Sequence, residues 1–69
     1  MSNNHSKIGK RIKEIRKQKK LSQDKLSKLA DLSLNTIVNI EREKNTNPTV
    51  ETLKKIANAL NVTLDELVN

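Results

Sequence analysis

Asn35, Thr36 and Asn39 are the residues of this chain whose types and spacing point most directly to chemistry. An Asn side chain offers a donor and an acceptor on one planar amide, the pairing that matches the N6 and N7 edge of adenine in the major groove of duplex DNA. Asn35 and Asn39 are four apart, so in a helix they lie on one face, one turn from each other. Thr36 adds a hydroxyl that can donate or accept. For any one Asn taken alone, an ordinary solvated helix face is the competing reading. The chemistry implied is recognition rather than catalysis. The sequence shows no paired catalytic carboxylates, no nucleophile–His arrangement and no Gly-rich phosphate loop, so no enzyme is expected.

The charge distribution points the same way. Residues 1–20 carry eight Lys or Arg against one Glu, residues 21–44 carry four of each sign, and the formal net charge of the chain is +6. A positive pole on a small domain suggests a polyanionic partner, although a solubilising surface would also be basic. There is no Phe, Trp or Tyr. That argues against the stacking platforms used for single strands and most RNA, and leaves duplex DNA read by a helix. There is no Cys, so neither a disulfide nor a thiolate metal site is expected, which fits a reducing cytoplasm. The single His, His5, lies in the polar stretch MSNNHS and is not expected to bind metal. No cofactor is expected. No apolar run approaches membrane-spanning length, and the basic N-terminus lacks the apolar stretch of a signal peptide.

The elements that must position these residues are five short helices around one core, an all-α fold. At 69 residues the chain is one domain. Residues 1–5 read as a disordered tail and 6–69 as the domain. Ile8, Ile12, Ile15 and Lys19 predict an amphipathic first helix over about 6–19, weakened locally by Gly9. Ser22 can cap a second helix over about 23–30, with Leu26 and Ala30 inward and Ser27 small enough for close helix approach. Asp31 falls where the chain leaves that helix in a left-handed conformation. Ser33 caps a third helix to about Arg42, with Ile37 and Ile40 inward. Thr49 caps a fourth, Val50 to about Leu60, whose inward stripe is Val50, Leu53, Ile56, Ala57 and Leu60. Thr63-Leu64-Asp65-Glu66 is a capping box that opens a fifth. Arg16 continues the row Ile8, Ile12 and Glu41 continues the row from Ile37. On spacing alone these two charges read either as a partly buried pair or as two separate solvated groups.

With these anchors in view, RIKEIRKQKKLSQDKL, LSLNTIVNIER, TNPTVETLKKIANAL and NVTLDEL, the chain resembles the Cro/repressor-like, xenobiotic-response-element type of helix-turn-helix domain. The resemblance runs from Ile8 to Leu67. It implies a lambda-repressor-like fold with helices 2 and 3 as the helix-turn-helix and helix 3 in the major groove. It implies base contacts at Leu34, Asn35 and Asn39, and backbone contacts at Gln23, Ser33, Thr36, Arg42, Lys44 and Asn45. Gln23 can also brace helix 3. The Arg16 and Glu41 combination matches a buried ion pair that recurs in the family. The family often has Gly where this chain has Asp31 and Glu43, and a polar residue where it has Leu34. Glu43 puts a negative charge near the expected phosphate path. Leu34 cannot hydrogen-bond a base and can only pack on a thymine methyl.

The function expected is a non-enzymatic, sequence-specific regulator of transcription, a repressor binding a two-fold operator as a homodimer. Two copies one helical turn apart supply the affinity that one small domain lacks. The dimer surface is expected at Leu64, Leu67 and Val68 of helix 5. The alternative is an antitoxin or partner-regulated interaction module, for which Val38, Leu29 and helix 5 are the supporting features. Either reading leaves room for a protein antagonist or inducer, and neither involves a membrane.

Overall fold

Four helices of this chain begin on a side-chain cap, and four end on the same left-handed device. In a computed structural model, which describes residues 7–44 and 47–68, the order is α1 (Lys7–Gln18), α2 (Gln23–Ala30), α3 (Leu34–Glu41), α4 (Val50–Leu60) and α5 (Leu64–Val68). The tail expected at residues 1–5 lies outside the described residues, and no strand occurs among those described. Ser22, Ser33 and Thr49 accept from the backbone N–H three residues on, satisfying one of the free donors at each helix start. At α5 the capping box forms in full. The Thr63 N–H donates to Glu66 Oε1 at 2.8 Å and the Glu66 N–H donates to Thr63 Oγ1 at 3.1 Å. The backbone and hydroxyl bonds from Thr63 hold the Glu66 carboxyl below its usual pKa.

The exits are alike. Lys20, Asp31, Glu43 and Asn61 have φ near 60°. In each, the following N–H reaches back five residues: Leu21 to Arg16 O, Leu32 to Ser27 O, Lys44 to Asn39 O and Val62 to Ala57 O, at 2.9–3.1 Å. This is the Schellman geometry, in which the residue after the left-handed position packs back on the helix. Leu21, Leu32 and Val62 do so against the core. The α3 exit differs, because Lys44 takes that place and is exposed. The chain therefore leaves α3 with a cation on the surface where the other exits turn an apolar side chain inward.

None of the four left-handed residues is Gly, and a side chain costs roughly 1–2 kcal/mol there. Glu43→Gly should therefore raise folding stability. The gain should be about 0.5–1 kcal/mol once the chain entropy of glycine is set against it. Urea unfolding measures this, and unchanged or reduced stability would show that Glu43 is held by something other than backbone geometry.

The core is Ile12, Ile15, Leu26, Ala30, Ile37, Ile40, Leu53, Ile56, Ala57, Leu60 and Leu67, with Ile8, Leu21, Leu32, Ala59, Val62 and Leu64 packed around it. α2 packs on α3 and α4, α1 on α3 and α5, and α4 on α5. Ser27 is buried in this arrangement, and its hydroxyl donates to Asp24 O at 2.7 Å. That bond satisfies its polar group without thickening the helix.

Two sequence expectations are corrected. Val50 was placed on the inward stripe of α4 but is 61% exposed. As the first residue of the helix it stands clear of the core, and Leu53 is the first inward residue covered. Lys19 continued the apolar row of α1 but is exposed, because the helix ends at Gln18 and the chain turns at Lys20.

Candidate nucleic-acid interface

The buried charges of this fold lie directly behind α3. Arg16 on α1 and Glu41 at the end of α3 are both buried. Arg16 Nε donates to Glu41 Oε2 at 2.7 Å, and Nη2 donates to Oε1 at 3.0 Å. The fork is bidentate, the strongest geometry an Arg–carboxylate pair adopts. Nη1 donates to the carbonyl of Leu21 at 2.7 Å, so one guanidinium ties α1, the α1–α2 turn and α3 together. Gln23, the first residue of α2, donates from Nε2 to Glu41 Oε1 at 3.0 Å. An amide nitrogen carries two hydrogens, and half-buried Gln23 keeps one for a partner outside the protein. It therefore braces α3 while facing solvent.

Gly9 is the second device that seats α3. It is buried, and a Cβ built on it would collide with the carbonyl oxygen of Ile40 and lie 3.2 Å from that carbonyl carbon. Its missing side chain lets α1 touch the α3 backbone. Sequence reasoning treated it only as a weak point in a helix. The available signal was that Gly9 and Arg16 are seven residues apart, two turns along the same face, so both must meet the same neighbour. Arg11 was also missed. Its Nε donates to the carbonyl of Glu66 at 2.8 Å, joining α1 to α5.

With Ile37 and Ile40 buried beneath it, α3 turns Leu34, Asn35 and Asn39 outward, and Arg42 follows as its C-cap. Leu34 is 43% exposed, Asn35 is exposed and Asn39 half-buried. Among the described residues neither Asn amide has a hydrogen-bond partner within the chain. Both are held on a rigid helix with their donors and acceptors unclaimed. Ser33 and Thr36 stand at the head of the helix. Ser33 Oγ accepts from the Thr36 N–H at 3.1 Å and shares a hydrogen bond with Thr36 Oγ1 at 2.8 Å, so each hydroxyl retains capacity for at least one more partner. Arg42 and Lys44 are exposed at the far end. Asn45, also expected at the interface, lies outside the described residues.

The fold thus brings the expected base-contacting residues onto one face and places Gln23, Ser33, Thr36, Arg42 and Lys44 around it. Helix 5 is different. Leu67 was expected on a dimer surface but is 1% exposed, because its side chain completes the core of its own chain. Half-buried Leu64 and 48%-exposed Val68 remain of that patch.

Two helices joined by a tight left-handed turn, the second presenting an open polar face, define a helix-turn-helix domain. Residues 12–67 match the family model described as Helix-turn-helix, and the chain belongs to that family. It is 41% identical over 61 residues to the immunity repressor protein of Bacillus phage phi105, a match covering 88% of this chain and 42% of that protein. It is similar to the crystal structure of SinR, the master regulator for biofilm formation, in complex with DNA (TM-score 0.87, 35% identity, 90% of this chain and 98% of that one). It is also similar to the restriction-modification controller protein C.AhdI of Aeromonas hydrophila (TM-score 0.87, 33% identity, 91% and 94%). The chain spans about half the length of the curated relatives it matches, 42% to 56%. No helix among the described residues is long and apolar enough to cross a membrane.

Proposed function

We propose that this chain is a cytoplasmic, non-enzymatic regulator of transcription that binds double-stranded DNA sequence-specifically, acting as a repressor on a two-fold operator. The observation that carries this reading is the pair of unclaimed amides, Asn35 and Asn39, on the outward face of a helix fixed to the core through Glu41. The names of the relatives, an immunity repressor and a regulator crystallised with DNA, support it. α3 enters the major groove. Leu34, Asn35 and Asn39 meet base edges, and Gln23, Ser33, Thr36, Arg42 and Lys44 meet the sugar–phosphate backbone.

The test is duplex binding measured against salt and sequence. Lys44→Ala should weaken binding to every sequence and flatten the log–log salt slope by about one. Asn35→Ala and Asn39→Ala should instead relax preference at particular base pairs, at about 1–3 kcal/mol per lost bidentate contact. Asn35→Ala should leave folding within about 0.5 kcal/mol, because that residue is exposed. Loss of folding without a change of base preference would move the recognition face elsewhere.

The homodimer rests on α5. Val68 and Leu64 offer a small apolar patch beside the chain's own core, and in a two-fold dimer the same patch meets itself. So small a contact gives a weak free dimer that assembles cooperatively on paired half-sites. Val68→Asp should abolish that cooperativity while leaving binding to a single half-site intact. Unchanged sedimentation and cooperativity would assign the dimer to another surface.

A further inference from the structure

We infer that the half-site read by α3 is built of A·T pairs at the positions this helix touches, an inference that rests on the DNA-binding reading above. The basis is which chemistries the outward face of α3 has and which it lacks. Guanine is read best by an Arg or Lys donating to O6 and N7, and cytosine by a carboxylate accepting from N4. From Leu34 to Ile40 the helix carries no charged residue. Its one carboxylate, Glu41, is buried and already accepts from Arg16 and Gln23. Arg42 is exposed, but it caps the C-terminal end of α3 and is assigned above to the sugar–phosphate backbone, and such helices read bases from their N-terminal residues. What the face does carry is two unpartnered amides one turn apart and an exposed leucine ahead of them. An amide matches the N6 and N7 pair of adenine, and an aliphatic side chain matches the thymine methyl. Leu34 thereby becomes a specificity determinant, although it has no hydrogen bond to give.

Selection of bound duplexes from a random pool with the full chain tests this, alongside the Leu34→Ala, Asn35→Ala and Asn39→Ala variants. The enriched half-site should hold A·T pairs at the positions whose preference those variants relax. Replacing one such pair by G·C should weaken wild-type binding roughly 5- to 150-fold. Modified bases give a readout that needs no variant to fold. Uracil for thymine at the Leu34 position removes one methyl and should cost about three- to fourfold, and 7-deazaadenine should weaken binding at the Asn35 or Asn39 position. A reproducible half-site with G·C at those positions, or indifference to both modified bases, overturns the A·T assignment and leaves sequence-specific binding standing. Salt-sensitive binding with no sequence enriched, or no binding at low salt, overturns the underlying reading itself.

Discussion

Glu41→Gln and Arg16→Met should each cost about 3–5 kcal/mol of folding stability, because each strands a buried charge. In Glu41→Gln the guanidinium of Arg16 remains inside the protein, facing a neutral amide where a carboxylate had taken two of its hydrogen bonds. In Arg16→Met the carboxylate keeps only the N–H of Gln23, and the carbonyl of Leu21 loses its donor. A domain of this length has on the order of 3–10 kcal/mol of stability in total, so either change removes a large share of it. Lys13→Met and Glu43→Gln are the controls, since both residues are exposed and should change stability by under about 0.5 kcal/mol. Urea unfolding of the four variants decides the matter. Equal, small effects across the set would mean that Arg16 and Glu41 are solvated in solution. The double change Arg16→Met with Glu41→Leu should recover part of the loss, because no unpaired charge is then buried. It should still weaken DNA binding, since Gln23 loses the carboxylate that aims its amide.

The legible parts of this fold are those decided within a few residues of chain. The caps at Ser22, Ser33, Thr49 and Thr63 and the bounds of α2 and α4 follow from side chains that bond their own neighbours, and that information is local. The left-handed residue at Asp31 was legible because Asp tolerates that conformation. Those at Lys20 and Glu43 were not expected, since neither is the Gly or Asn that usually marks such a position, whereas Asn61 is a residue type that does mark it and went unread. The apolar residue just after the turn was the better signal, and Leu21 and Val62 carried it. Tertiary facts were harder. Leu67 and Val68 are adjacent and both apolar, and only the packing of α5 on α1 and α4 decides that the first is core and the second surface. The face proposed for recognition stands out in the sequence by what it lacks. A surface helix normally shows long charged side chains, and the outward side of α3 shows Leu34, Asn35 and Asn39. The bond from Gln23 to Glu41 joins residues 18 apart, and only the folded α2–α3 packing brings them together.

Gly9→Ala sets local preference against tertiary fit, and the two predict opposite signs. Within α1 alone alanine is better than glycine by about 0.8–1.0 kcal/mol, so the change should stabilise an isolated α1 helix. In the folded protein the new Cβ is driven into the carbonyl of Ile40, with the Cα of Glu41 at 3.4 Å. These are backbone atoms of a packed helix, so no side chain can rotate out of the way and α1 or α3 must move. Overpacking of this kind typically costs about 1–3 kcal/mol, which exceeds the helical gain. A shift there also pulls Glu41 from Arg16, so the steric cost and the ion-pair cost fall on the same contact. Setting the helical gain against the steric cost leaves the intact variant less stable than wild type by up to about 2 kcal/mol, and any loosening of the Arg16–Glu41 pair adds to this. The variant should also bind duplex DNA more weakly, because α3 is displaced from the frame that aims Asn35 and Asn39. Helicity of the α1 peptide by circular dichroism and thermal stability of the whole chain, each compared between wild type and Gly9→Ala, should move in opposite directions. A whole chain stabilised by the change would show that helix preference governs this position and that α1 does not need close approach to α3.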